Sequence, residues 1–130
     1  MSENLDLVRS IYAAHECGDF SSAEWADPEI EFIFIGGPSP GTFTGLAGMA
    51  EGYRTWLDAW QDFRVVADDY REVDDERVLV LDYPSGRGKA SGLDVGQKGA
   101  TLHHIRGGRV TRLAVYWDRK QALADLGLER

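Results

Sequence analysis

The stretch GATLHHIRGGRVTRLAVYWD, residues 99 to 118, holds the side chains best suited to chemistry in this chain. His103 and His104 are adjacent, and Asp118 follows Trp117 near the end of the run. An imidazole with an ordinary pKa near 6.5 serves as a general base or a hydrogen-bond donor at neutral pH. A carboxylate nearby would orient it. Neighbouring residues on a strand point to opposite faces, so the two histidines cannot both enter one pocket. The pair Gly107-Gly108 is a hairpin turn signal that pairs Arg106 with Arg109. Continuing that pairing without interruption puts Leu102, His104, Thr111, Leu113, Val115 and Trp117 on one face. It puts Thr101, His103, Ile105, Arg112, Ala114, Tyr116 and Asp118 on the other. The first set is the more apolar and is assigned to the interior, so His104 is expected to point inward and His103 outward. A β-bulge in either strand would swap them. His104 and Asp118 are the candidate catalytic residues. Each also has an ordinary structural reading: a satisfied core histidine, and an N-cap for the helical pattern that follows in DRKQAL. No two histidines stand at an i, i+4 spacing, so a metal site is not expected.

These residues need elements to position them. Residues 3 to 16 read as a helix, with Leu5, Val8, Ile11, Tyr12 and His15 at three- and four-residue steps and Gly18 as its stop. Ser21 with Glu24 three residues on predicts a second short helix, broken at Pro28. IEFIFI is a strand, GGPSPG a loop and TFT a short return strand. Residues 45 to 61 carry the clearest helical stripe: Leu46, Met49, Tyr53, Trp56, Leu57 and Trp60. Strands follow: FRVVADDYREV, RVLVLDY, ATLHHI and RVTRLAVYW. A Gly-rich connection separates the second from the third, and KQALADLGL closes the chain as a helix. The predicted class is α+β in one domain, residues 1–130, with helices on one face of a curved sheet.

Bulk composition excludes several functions. The chain has 130 residues, 43% hydrophobic and 28% charged, with a net charge of −8. That acidity opposes a nucleic-acid partner. Arg106, Arg109 and Arg112 read as a solvated hairpin end. No apolar run reaches the ~18 residues of a membrane span. The single cysteine, Cys17, excludes an internal disulfide, and with the polar N-terminus it suggests a cytoplasmic setting.

Three segments carry a family resemblance: VRSIYAAHECGDF, GLAGMAEGYRTW and GGRVTRLAVYWD. Together they resemble the nuclear transport factor 2-like superfamily, and within it the SnoaL-like proteins and ketosteroid isomerases. The resemblance spans nearly the whole chain. It implies a cone-shaped, mixed or antiparallel curved sheet wrapped around a long helix, with two N-terminal helices, an apolar pocket and a homodimer through the outer sheet face, near Ala114 and Tyr116. The isomerase base would fall near Ile33 or Phe34, its tyrosine near Ile11 with Tyr12 one position off, and its acidic partner near Ala100 or Thr101. None of these positions carries the matching group, which implies that isomerase activity on steroids is absent. SnoaL-like cyclases use an aspartate on the last strand and a histidine on the strand before it, for which Asp118 and one of the two histidines would stand. The expected ligand-binding residues are Tyr12, Tyr53, Trp56, Leu102, His104, Val115 and Trp117. The expected function is binding of a small hydrophobic molecule without a cofactor. The alternative is a cofactor-independent isomerase, cyclase or hydrolase acting on a polyketide- or terpenoid-like substrate by acid/base chemistry. A third reading is an interaction domain whose cone is plugged by Trp56, Trp60 and Trp117.

Overall fold

The computed structural model describes residues 3–19, 23–37 and 40–128. Helix α1 (Glu3–Glu16) buries Val8, Ile11 and Tyr12 along one face and carries Glu3 and Asp6 in its first turn, where the helix dipole favours acids. Gly18 ends it with a φ of 83°. Ser21 lies outside the described residues. Glu24 and Trp25 form a turn, not a helix, and lead straight into β1 (Ala26–Ile35). Pro28 therefore sits inside a strand, where the expected reading had it breaking a helix. The strand tolerates it because pairing with the neighbouring strand is irregular between Ala26 and Glu31, so the missing N–H costs no ladder bond.

After β2 (Gly41–Thr44) comes α2 (Gly45–Asp58). It stops three residues earlier than its apolar stripe suggested, because Trp60 already opens β3 (Trp60–Asp74). At 14 residues it is no longer than α1. Its close approach to β1 depends on Gly52: a Cβ there would lie 2.9 Å from the Phe32 ring. The chain continues through β4 (Arg77–Gly88), β5 (Asp94–Gly96), β6 (Gly99–Arg106), β7 (Arg109–Tyr116) and α3 (Arg119–Asp125).

The strands form one open, mixed sheet in the order β2-β1-β7-β6-β4-β3, with β5 paired to β4. Only the β1–β7 contact is parallel among these pairs. On one face α1 and α2 pack over Phe32, Val78, Val80, Ile105 and Leu113. On the other, α3 covers Leu79, Leu81, Ala100, Leu102, Ala114 and Tyr116. The helices thus lie on both faces, not on one. Alternate residues of β4 enter opposite cores, which is why RVLVL reads as a continuous apolar run.

The last hairpin turns as predicted, with Arg106 opposite Arg109 and positive φ at Gly107 and Gly108. Its register then shifts. Ile105 faces Val110 but His104 faces Arg112, so Thr111 is an extra residue in β7. Every β6 side chain beyond that bulge changes face relative to uninterrupted pairing.

Candidate functional site

Because of the Thr111 bulge, Thr101 and His103 turn inward with Leu113 and Val115, while Leu102 and His104 turn outward. The inward set lines a cavity of about 80 Å³ between α1, α2 and the sheet. Its wall includes Tyr12, Tyr53, Trp56, Val115 and Trp117, which the sequence had placed at a pocket, and also Phe34, Asp82, Thr101, His103 and His15.

The inner end is polar. Tyr12 Oη donates to Asp82 Oδ2 at 2.7 Å, and Thr101 Oγ1 donates to the same oxygen at 2.8 Å. Asp82 is 4% exposed. Burial pushes its carboxyl up to about 6, against the hydrogen bonds from Tyr12 and Thr101 and the charge of Arg119, which hold it down. Arg119, from the first position of α3, donates from Nη2 to the Asp82 carbonyl and to Asp68 Oδ2, both at 2.8 Å, and from Nε to the Gly99 carbonyl at 3.0 Å. It ties the middle of β4 to the start of β6 behind the acid.

His103 is 1% exposed, and its ring meets that of Tyr12 edge-on at 5.9 Å. Burial pushes the imidazole down to about 4, so it is neutral at pH 7. Its Nδ1 is buried with no hydrogen-bond partner of good geometry, and the Val78 and Thr101 backbone groups act on the ring only weakly, raising its pKa against the larger effect of burial. His15, between Tyr12 and Tyr53, is also pushed down to about 4 by burial. Burial raises the phenols of Tyr12 and Tyr53, which stay neutral. The inner end therefore offers a carboxylate that titrates near neutrality and a neutral, buried imidazole. Such a pair can hold a ligand hydroxyl or move a proton.

The rest of the wall is aromatic. Tyr53 stacks on Phe32 at 4.8 Å, and Trp56 stacks on Phe34 at 5.3 Å. Trp117 meets Trp56 edge-on at 5.8 Å. Gly37, with a φ of 79°, lies against the Trp117 indole so closely that a Cβ would fall 3.0 Å from its Cγ.

Two candidates leave the site. Asp118 is exposed and caps α3, its Oδ1 accepting from the Lys120 N–H at 3.1 Å. His104 lies on the opposite face in a surface groove with Asp74, Arg77 and Arg106. Leu102 belongs to the α3 side. Asp82 is the residue that sequence reasoning missed, and His103 is the one it assigned to the outer face. The signal for Asp82 was a single acid directly after the apolar run VLVL, at the alternate positions of Val78 and Val80. Among the described residues no group of three or more His, Cys, Asp or Glu is placed to hold a metal ion.

No protein-family model matches the chain, and no curated protein matches it. Solved structures do. A protein of unknown function from Burkholderia pseudomallei K96243, described as NTF2-like, superposes with a TM-score of 0.79 at 20% identity, over 95% of this chain and 97% of that one. The fold is nuclear transport factor 2-like. Within this NTF2-like group a candidate SnoaL-like polyketide cyclase from Jannaschia sp. CCS1 superposes with a TM-score of 0.77 at 15% identity, over 98% of this chain and 93% of that one. TerC, co-crystallised with polyporic acid, gives 0.77 at 21% identity, over 96% and 98%. The NTF2-like sheet of the present chain carries its inner polar groups on β4 and β6, with Tyr12 reaching them from α1.

Proposed function

We propose that the protein binds a small, largely apolar molecule in the cavity under α1 and α2, with the polar end of that molecule at Asp82 and His103. The observation that carries this reading is the unpartnered Nδ1 of the buried His103 in an otherwise aromatic chamber. Buried polar atoms of native proteins almost always find a partner, and a ligand hydroxyl would supply one. Ligand pockets characteristically combine an apolar wall with a few such groups. The co-crystallisation of TerC with polyporic acid supports reading a cavity of this fold as a small-molecule site.

The cavity is small. An engineered apolar cavity of about 150 Å³ admits benzene. A ligand of one or more rings must therefore displace part of the aromatic wall here, and Trp56 is the side chain in its way, with Trp117 left as a contact surface. This partial plugging is the feature that the interaction-domain reading predicted, but the polar inner end is not explained by it. Acid/base catalysis without a cofactor is a second reading, favoured by the Asp82 carboxyl, whose pKa near 6 suits proton transfer at neutral pH.

Titration of 2-naphthol, followed by its own fluorescence, tests the binding reading. Trp117→Ala and His103→Ala weaken it, the former by roughly 1–3 kcal/mol of lost apolar contact. His104→Ala, on the outer face, leaves it unchanged. Equal binding by all three folded variants and wild type overturns the assignment of the pocket.

A homodimer is proposed as well, with a changed contact. Ala114 and Tyr116 are 2% and 8% exposed beneath α3, so they offer no bare patch. The half-buried Leu123, Leu126 and Leu128 over that face take their place. Sedimentation at micromolar concentration distinguishes a dimer from the 14.4 kDa monomer. A reducing, cytoplasmic setting is proposed on the single, exposed Cys17.

A further inference from the structure

A second, smaller chamber of about 10 Å³ lies beyond the main cavity. The two share Trp56, Phe63, Pro84 and Trp117 as walls, and the outer one adds Trp60 and Val95. Trp56 stands at the junction. It stacks on Phe34 in the main cavity at 5.3 Å and meets Trp60 in the outer chamber at 5.5 Å. Trp60 Nε1 is buried and has no hydrogen-bond partner. An indole N–H is a donor only, so the group that would satisfy it is an oxygen acceptor. The two buried polar atoms without partners along this path have complementary requirements. The neutral His103 ring at the inner end can pair with a hydroxyl, which both donates and accepts, whereas Trp60 Nε1 at the outer end can only donate.

We propose that the two chambers form one elongated site, in which the Trp60 indole N–H donates to a carbonyl oxygen at the outer end of a flat aromatic ligand whose inner end carries a hydroxyl. This rests on the binding reading above and adds a second point of recognition to it. A flat ring is specified because the ligand has to take the place of the Trp56 indole. An aromatic ring recovers the stacking on Phe34 that Trp56 gives up, whereas an aliphatic chain does not. Two fixed polar contacts at opposite ends then select for the length of the ligand as well as its chemistry.

The test compares 1-(6-hydroxynaphthalen-2-yl)ethanone, which has both oxygens, with 2-naphthol, which lacks the carbonyl. Wild type binds the ketone more tightly. Trp60→Phe keeps the ring but removes the donor, and it weakens the ketone roughly tenfold, the scale of one hydrogen bond, while leaving 2-naphthol unchanged. A second measurement needs no variant to fold. In wild-type protein with ¹⁵N-labelled tryptophan, the Trp60 indole signal moves downfield with the ketone and not with 2-naphthol. If both probes bind and Trp60→Phe changes them equally or not at all, or the indole signal stays still, the outer subsite is overturned and the cavity reading stands. If neither probe binds wild type, both readings fall together.

Discussion

Asp82 keeps its place through two short hydrogen bonds on one oxygen, from Tyr12 and Thr101, and both lower its pKa against the larger effect of burial. Tyr12→Phe removes one of them. The Asp82 pKa should then rise further above 6, read from its ¹³C carboxyl titration, and stability should fall by about 1–2 kcal/mol. An unmoved titration would mean that Tyr12 is not the partner in solution. His103 is the reverse case, a base stripped of its proton by burial. Burial therefore reverses their usual order: the carboxyl, at about 6, holds its proton to a higher pH than the imidazole, at about 4. Asp82 was not visible as a site in the sequence. Asp82 follows an apolar run in a strand whose two faces are both covered, so the alternation that would have marked its face is absent. His103 was named, but its face depended on a single inserted residue.

That residue, Thr111, acts through the whole hairpin. Its Oγ1 donates to the His104 carbonyl at 3.3 Å beside the register shift, and the result is that β6 presents His103 where uninterrupted pairing presents His104. The chain just after β1 meets a different constraint at Gly37. Gly37 combines positive φ with contact on Trp117, so Gly37→Ala should cost about 1–2 kcal/mol from the backbone alone and disturb the indole beneath it. Thermal unfolding and the near-UV circular dichroism of tryptophan measure both. A variant as stable as wild type would argue against this packing of Gly37 on Trp117. At the start of α3, Asp118 acts as a cap. Asp118→Ala should lower stability by about 1 kcal/mol and leave 2-naphthol affinity unchanged. A loss of binding without a loss of stability would restore Asp118 to the site.

Two helices on one face and α3 on the other enclose the inner polar groups on both sides of the sheet, and this couples global stability to pH. His103 and His15 have folded pKa values lowered from 6.5 to about 4. Their contribution to stability is present above 6.5 and is lost as pH falls toward 4. Asp82 has the opposite sign: raised from 3.8 to about 6, it stabilises most below 3.8 and loses that contribution as pH rises through 6. Across pH 6.5 to 4 the histidines outweigh the acid, so denaturant unfolding should show stability falling on acidification. His103→Phe should flatten the slope by roughly 3 kcal/mol over that window. Asp82→Asn should steepen it, because the opposing contribution is gone. A stability that rises on acidification through this range would contradict the burial of the histidines.

Local pattern carried much of this architecture. The apolar spacing of α1, the strand character of residues 30 to 35, the Gly107-Gly108 turn and the capping geometry of Asp118 all follow from side chains within a few residues of one another. So does the aromatic stripe that places Tyr53 and Trp56 beside the cavity. The end of α2 does not follow, because Trp60 fits a helical face and a strand equally well, and its fate depends on pairing with Gly88 across the sheet. Nor do the faces of His103 and His104, since a bulge is a long-range property of two paired strands. The meeting of Tyr12, Asp82 and Thr101 lies furthest from the sequence. Tyr12 and Asp82 are 70 residues apart, and only the packing of α1 over β4 brings the phenol to the carboxylate.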